Sequence, residues 1–213
     1  MKLFDYFRSS AAYRVRIALN LKGLTPERAF VHLRQRAQRE AGYLALNPQG
    51  LVPVLSTDDG QVLTQSLAII EYLDETHPQP PLFPVGAVAR ARVRAIALEV
   101  ACDIHPLNNL RVLTYLKHTL HVSEADKDIW YHHWVREGLA ALETQLTRDA
   151  DTGRFCHGDR PTLADVVLVP QIANARRFNV DLTPFPTLIR IEAACLDLPA
   201  FAQAEPSRQP DAE

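Results

Sequence analysis

Four prolines fall within the eight residues "HPQPPLFP" (77–84), and they set the first constraint on this chain. Proline fixes φ and has no amide hydrogen, so neither a helix nor a central strand runs through such a stretch. The segment reads as a linker, and the sequence changes character across it. Before it, strand and helix signals alternate; after it, only helical periodicity is found.

In the first part, "KLFDYF" reads as a strand. "AAYRVRIALNLKG" carries Val15, Ala18, Leu19 and Leu21 at helical spacings and stops at Gly23. "RAFVHL" reads as a second strand, and residues 39–46 as a short helix before the breaker "NPQG". "LVPVLS", "TDDG" and "QVLTQ" read as strand, turn and strand, since Asp-Gly favours a hairpin. "SLAIIEYLDETH" is a helix with Ser66 as its expected N-cap. The order βαβαββα predicts a small mixed sheet with helices on its faces.

Beyond the prolines, a helical pattern from Val88 to about Leu120 includes Pro106, where a kink is expected. A second helix is predicted over about Glu124–Arg148. A third follows the T-x-x-D pattern of Thr162 and Asp165, and another covers about 186–197. The polar tail "EPSRQPDAE" is expected to be loosely held. The domains are therefore 1–79 (α/β), a linker at 80–86 and 87–213 (all-α).

A net charge of −2 gives no electrostatic case for nucleic acid or an anionic membrane. No apolar run approaches the ~20 residues of a membrane helix, and no signal peptide is expected at the N-terminus. Three scattered cysteines, Cys102, Cys156 and Cys195, fit neither a disulfide framework nor a zinc motif. No metal is expected, and the reducing cytoplasm is the expected compartment.

The candidate chemistry sits at helix starts. In "FRSSAAYRVRIALNLKG" (7–23), Ser9 and Ser10 precede the first helix, with Arg8, Arg14 and Arg16 around them. No histidine or carboxylate lies close in sequence to activate a serine. The hydroxyls therefore either cap the helix or serve a nucleophile the chain does not supply. A hydroxyl at a positive helix end lowers the pKa of a bound thiol, because both favour the anion. Tyr6 is a rival donor, but its place in the strand suggests core packing. Gln65-Ser66 leads into another helix N-terminus, where it either caps or holds a carboxylate. Val52-Pro53 is either an edge proline or a cis turn exposing backbone to an extended peptide.

In "CDIHPLNNLRVL" (102–113), a continuous helix would align Ile104, Asn108 and Arg111 on one face and His105 and Asn109 on the next. Hydrogen bonding between helices or subunits explains these polar groups as readily as a site. His132 and His133 point to different sides of a helix. Arg176 and Arg177 read as solvated charge.

Taken together, these pieces resemble the glutathione transferases over essentially the whole chain. "RSSAAYRVRIAL" looks like the zeta-class signature R-S-S-C-S-x-R-V-R-I-A-L. "ALNPQGLVPVL", "QSLAIIEYL", "GDRPTLADVVLVPQ", "NARRFNVDLTPFP" and "RQPD" are also similar to that class. The resemblance implies a thioredoxin-like first domain, a helical second domain, glutathione as cofactor and a homodimer. It implies a glutathione-dependent cis–trans isomerase of maleylpyruvate or maleylacetoacetate. Ser9 and Ser10 would act on the thiolate. Val52, cis Pro53, Gln65, Ser66, Asp103, His105 and Asn109 would hold the cofactor. Arg8, Arg111 and Arg177 would take the diacid substrate. Arg111 resembles the maleylpyruvate branch, which makes maleylpyruvate the expected substrate. Ala11 and Ala12 stand where the class has cysteine and serine, so chemistry assisted by a cysteine there is excluded. A conjugating or dehalogenating transferase and a non-catalytic glutathione-binding scaffold are the wider alternatives.

Overall fold

The computed structural model describes residues 1–213. The chain divides into two compact units. One joins Met1–Leu82 to Leu196–Glu213, and the other spans Phe83–Cys195.

The first unit is built on a four-stranded sheet in the order β2-β1-β3-β4. Strands β1 (Lys2–Asp5) and β2 (Glu27–Phe30) are parallel, joined through helix α1 (Ser10–Leu21). Strand β3 (Val54–Ser56) runs antiparallel to β1, with Phe4 opposite Val54. A hairpin through Asp59-Gly60 then returns β4 (Val62–Thr64) antiparallel to β3. Gly60 takes a φ of 82°, the left-handed region that glycine enters without a Cβ clash. Helices α2 (Ala41–Leu46) and α3 (Ser66–Thr76) complete the predicted order.

Helix α1 is the core of this unit. Ala12, Val15, Ile17 and Ala18 are fully buried, and the chain leaves the helix at Gly23 with φ 68°. Arg14 and Arg16 sit among these apolar residues and are buried rather than spread at the helix mouth. Arg16 pairs at 2.8 Å with Asp5 at the end of β1. Burial pulls the Arg16 pKa down and the Asp5 carboxylate opposes that shift.

The polar tail is not loose. Gln209 is buried, and its amide donates to the carbonyls of Gln203 and Glu205 at 2.9 and 2.8 Å. Asp211 reaches back to Phe7. Composition alone suggested solvation; these paired polar groups instead belong to the first unit.

In the second unit, the predicted long helix is broken twice. Helix α4 (Ala87–Leu98) passes into a wider π turn at Glu99–Ile104, followed by α5 (His105–Asn108) and α6 (Leu110–His118). The first irregularity directly precedes Pro106, where a kink was expected, and the second falls at Asn109, which is extended. Pro106 lies in the first turn of α5, where a missing amide hydrogen costs little. Helix α7 (Glu124–Arg148) matches its predicted bounds. Helix α8 (Leu163–Arg177) follows its N-cap Thr162, and in its first turn the buried Asp165 carboxylate accepts from the amides of Cys156 and Thr162 and from the Thr162 hydroxyl. Helix α9 (Pro186–Leu196) runs to the end of this unit, and the short helix α10 (Pro199–Ala202) belongs to the first unit. No helix is long and apolar enough to cross a membrane.

Candidate active site

In the first unit, β1 ends at Asp5 and the chain turns tightly into α1. The Ser9 amide donates to the Tyr6 carbonyl at 2.9 Å, closing the turn. Ser9 is the N-cap: its Oγ accepts from the Ala12 amide at 3.2 Å. Capping uses one acceptor position of the hydroxyl and leaves its proton to donate elsewhere. Ser9 is half-buried and Ser10, the first helical residue, is buried. The capping reading of Ser9 therefore holds, and it leaves the hydroxyl proton available to a second partner. Arg8 lies over the Phe7 ring at 4.8 Å.

Tyr6 is packed in a cluster with Phe7, Val31, Tyr43, Val52 and Val54. Burial pushes its phenol pKa up, so it is a poor source of negative charge. Val52 joins this cluster through its side chain, and the Val52-Pro53 bond is cis. The preceding Leu51 carbonyl is fixed by Tyr43 Oη at 2.7 Å and Asn47 Nδ2 at 2.9 Å.

Ser66 is not the cap of α3. The cap position is Gln65, with φ 69° and ψ 118°, and Ser66 is the first helical residue. A glutamine in that left-handed region is strained backbone. Gln65 Nε2 donates to Gln49 Oε1 at 3.0 Å. The buried Arg14 guanidinium donates to Ser66 Oγ at 3.3 Å and so ties α1 to α3. The sequence marked Arg14 only as one of the cations around Ser9 and Ser10, and it did not mark Gln49. Arg14 stands between buried apolar neighbours in "AAYRVRIAL", a pattern that marks a cation held inside.

The second unit carries the other candidates. Asn109 caps α6 by accepting from the Arg111 amide at 3.0 Å. Its Nδ2 lies 3.1 Å from His105 Nε2, so the two residues meet although the helix expected to align them ends at Asn108. Arg111 does not continue the face of Ile104 and Asn108, because the extended Asn109 redirects the chain. Arg111 and Asp103 are exposed. Near Asp103, burial raises the pKa of Glu99 and the Asp103 charge adds to the shift.

Arg177, at the end of α8, is exposed but oriented. Its Nη2 donates to Asn174 Oδ1 at 2.8 Å, and its guanidinium lies over the Phe178 ring at 4.8 Å. Helix α7 supports that arrangement. Tyr131 stacks on Phe178 at 4.0 Å and donates to the Asn174 carbonyl at 3.3 Å, and His132 bonds the Phe178 carbonyl at 2.7 Å. Arg176 instead pairs with the buried Glu192, so neither arginine is merely solvated. Asn174 was missed, although its i−3 spacing from Arg177 was visible. The thiols of Cys156 and Cys195 are buried, and burial pushes both pKa values up, which removes them as nucleophiles.

The donor set of the first unit suits an extended anionic thiol peptide: a hydroxyl at the N-terminus of α1, and amides and a hydroxyl at the N-terminus of α3. Family models for the glutathione S-transferase N-terminal domain and C-terminal domain match residues 8–76 and 135–206. The chain is 52% identical over 213 residues to a probable maleylacetoacetate isomerase of Vibrio cholerae, covering 99% of this chain and 97% of that protein. It is similar to a solved holo maleylpyruvate isomerase, described as a bacterial zeta-class glutathione S-transferase. That match has a TM-score of 0.97 at 49% identity and covers 100% of both chains. A maleylacetoacetate isomerase of Methylobacterium extorquens AM1, solved with malonate and glutathione, matches with a TM-score of 0.97 at 44% identity and 100% coverage of both chains.

Proposed function

The chain belongs to the glutathione S-transferase family, and from that premise we propose that it is a glutathione-dependent cis–trans isomerase converting maleylpyruvate to fumarylpyruvate. The observation that carries the reading is Ser9. Its hydroxyl caps α1 and keeps a proton to donate, at the positive end of a helix, with no base beside it.

When bound, glutathione would supply a thiolate for reversible addition to the cis double bond, the chemistry that permits rotation about it. The chain's own residues make this addition practicable. Ser9 donates to the sulfur and holds it ionised, with Ser10 behind it in the first turn. Val52, ahead of cis Pro53, presents backbone to the peptide. Gln65 and Ser66 hold a carboxylate at the N-terminus of α3, where Arg14 adds positive charge through Ser66. Asp103 is an anionic group suited to the cofactor's ammonium, and His105 and Asn109 form a fixed polar pair beside it in sequence.

The substrate is a diacid, so it calls for cations. Arg177 ranks first, because Asn174 and Phe178 hold its planar guanidinium in one orientation. Arg8 and Arg111 are the other candidates. Stabilising the oxygen of the conjugated ketone as charge develops there falls to these cations and backbone amides. The names of the Vibrio cholerae and Methylobacterium extorquens relatives favour maleylacetoacetate as a second reading, which differs only in the acyl tail accepted. The proposal carries a homodimer and a cytoplasmic location with it.

A spectrophotometric assay on both substrates, with and without glutathione, tests the reading. Glutathione-dependent turnover that is faster on maleylpyruvate is the expected result. Preference for maleylacetoacetate selects the second reading. Glutathione binding without turnover of either overturns the isomerase and leaves a transferase or a binding protein.

A further inference from the structure

The turn that presents Ser9 is held from the far end of the chain. Phe7 is the second residue of the Tyr6–Ser9 turn, and both its peptide groups are clamped. Its amide donates to Asp211 Oδ2 at 3.0 Å. Its carbonyl accepts from Arg16 Nη2 at 3.1 Å, and Arg16 Nη1 contacts the Tyr6 carbonyl at 3.4 Å. The Tyr6 amide donates to Asp5 Oδ1 at 2.7 Å. Thus the turn's backbone is anchored by Asp5 and Arg16 beneath it and by Asp211 from 204 residues away in sequence.

The segment carrying Asp211 is itself fixed at several points. Arg16 Nε donates to the Ala204 carbonyl at 3.0 Å. Arg28, which pairs with Asp5, also donates to Gln209 Oε1 at 3.2 Å. Beyond Asp211, Glu213 contacts His32 and lies 3.5 Å from Arg34. His32 in turn lies against Tyr6, with ring centroids 5.4 Å apart. Asp211 is therefore the one side chain of this strap that reaches the catalytic turn, and pinned neighbours flank it on both sides.

We propose that Asp211 is a positioning residue for the reaction: it holds the Phe7 amide, and through the Tyr6–Ser9 turn it fixes where the Ser9 hydroxyl points. The inference rests on the proposed role of Ser9. A hydroxyl lowers a thiol's pKa only while it is aimed at the sulfur, so a loosened turn weakens that effect before it weakens peptide binding. What Asp211 supplies is an acceptor oxygen, and an amide oxygen serves the Phe7 amide too.

The test compares Asp211→Ala, Asp211→Asn and Ser9→Ala in the full-length protein. Readouts are kcat, the glutathione KM, the pH midpoint of thiolate formation on bound glutathione, and hydrogen exchange at the Phe7 amide. Asp211→Ala is expected to lower kcat about tenfold, the worth of one ordinary hydrogen bond. It should raise the thiolate midpoint and speed Phe7 exchange, with the glutathione KM within about threefold of wild type. Asp211→Asn should restore all four. An unchanged midpoint and kcat in Asp211→Ala, while Ser9→Ala shifts both, overturns the positioning role and leaves the role of Ser9 standing. Equal loss in the Ala and Asn variants also overturns it, since charge and not the acceptor would then matter. A Ser9→Ala variant with an unshifted midpoint removes the premise itself.

Discussion

The Ser9 hydroxyl accepts the Ala12 amide hydrogen at 3.2 Å, so one side chain starts helix α1 and keeps its own proton to donate. Ser9→Ala removes both roles. Loss of the cap costs about 1 kcal/mol. Loss of the donor should lower turnover near neutral pH by about 10- to 100-fold and move the activity profile to higher pH, because the thiolate fraction falls. Ser9→Thr keeps a capping hydroxyl and should retain most of the activity. A pH–rate series on the three proteins reads this; an unshifted profile in Ser9→Ala would show that the hydroxyl does not act on the sulfur.

Arg177 is aimed by Asn174 at 2.8 Å and by the Phe178 ring beneath it. Arg177→Lys keeps the charge but loses the planar fork, and Arg177→Met loses both. A charge-assisted hydrogen bond contributes about 1.5–3 kcal/mol, so the diacid KM should rise about 10- to 100-fold in Arg177→Met. The glutathione KM should stay near wild type. Steady-state kinetics with each substrate varied in turn checks this split; a rise confined to the glutathione KM would reassign Arg177 to the cofactor.

Arg111 is exposed just past the break at Asn109. If it reads the substrate's tail, Arg111→Ser should lower kcat/KM for maleylpyruvate by about tenfold and change maleylacetoacetate much less. An equal change for both substrates would end its role in choosing between them.

Asp5 and Arg16 form a buried pair at 2.8 Å, with side chains 0% and 2% exposed. Removing one partner of a buried ion pair leaves the other uncompensated, at about 3–5 kcal/mol. For a chain of this size that corresponds to a Tm lowered by roughly 10 °C in Asp5→Asn. Calorimetry of the two proteins checks it, and a single variant as stable as wild type would remove the pair from the core's energetics.

Glu143 on α7 accepts from the amides of Thr187 and Leu188 at 3.0 Å each and so caps α9. Burial raises its pKa, but these hydrogen bonds outweigh burial and the net shift is downward from 4.5. A lowered native pKa means that the carboxylate's contribution is present above about pH 4.5 and is lost as pH falls through the native value. Glu143→Gln should therefore cost about 0.5–1 kcal/mol at neutral pH, with the gap closing below that unfolded-state value. Denaturant titrations at several pH values measure the gap; one that stays constant in acid contradicts the sign.

The βαβαββα order, the Asp-Gly hairpin and the bounds of α7 were all legible because each rests on local chemistry: period-two or period-3.6 patterns and a positive φ. A kink was expected at Pro106, and the helix does widen into a π turn just before it; the further break at Asn109, whose side chain accepts from the Arg111 amide, was not foreseen. Ser66 looked like a cap because serine favours that position. The cap is Gln65, in a strained conformation that no propensity suggests.

By itself, the sequence determined the classes of residue and their order: hydroxyls at helix starts, a proline after Val52, amides and arginines at fixed spacings. It could do so because helix caps and turns depend on residues within a few positions of one another. Only the tertiary structure decided which long-range partner each polar group meets. Arg14 on Ser66, Arg16 on Asp5 and Asp211 on the Phe7 amide join residues 52, 11 and 204 positions apart. A buried polar group must find a partner wherever packing puts one, and composition could not show that the polar tail would be drawn in to meet the turn that carries Ser9.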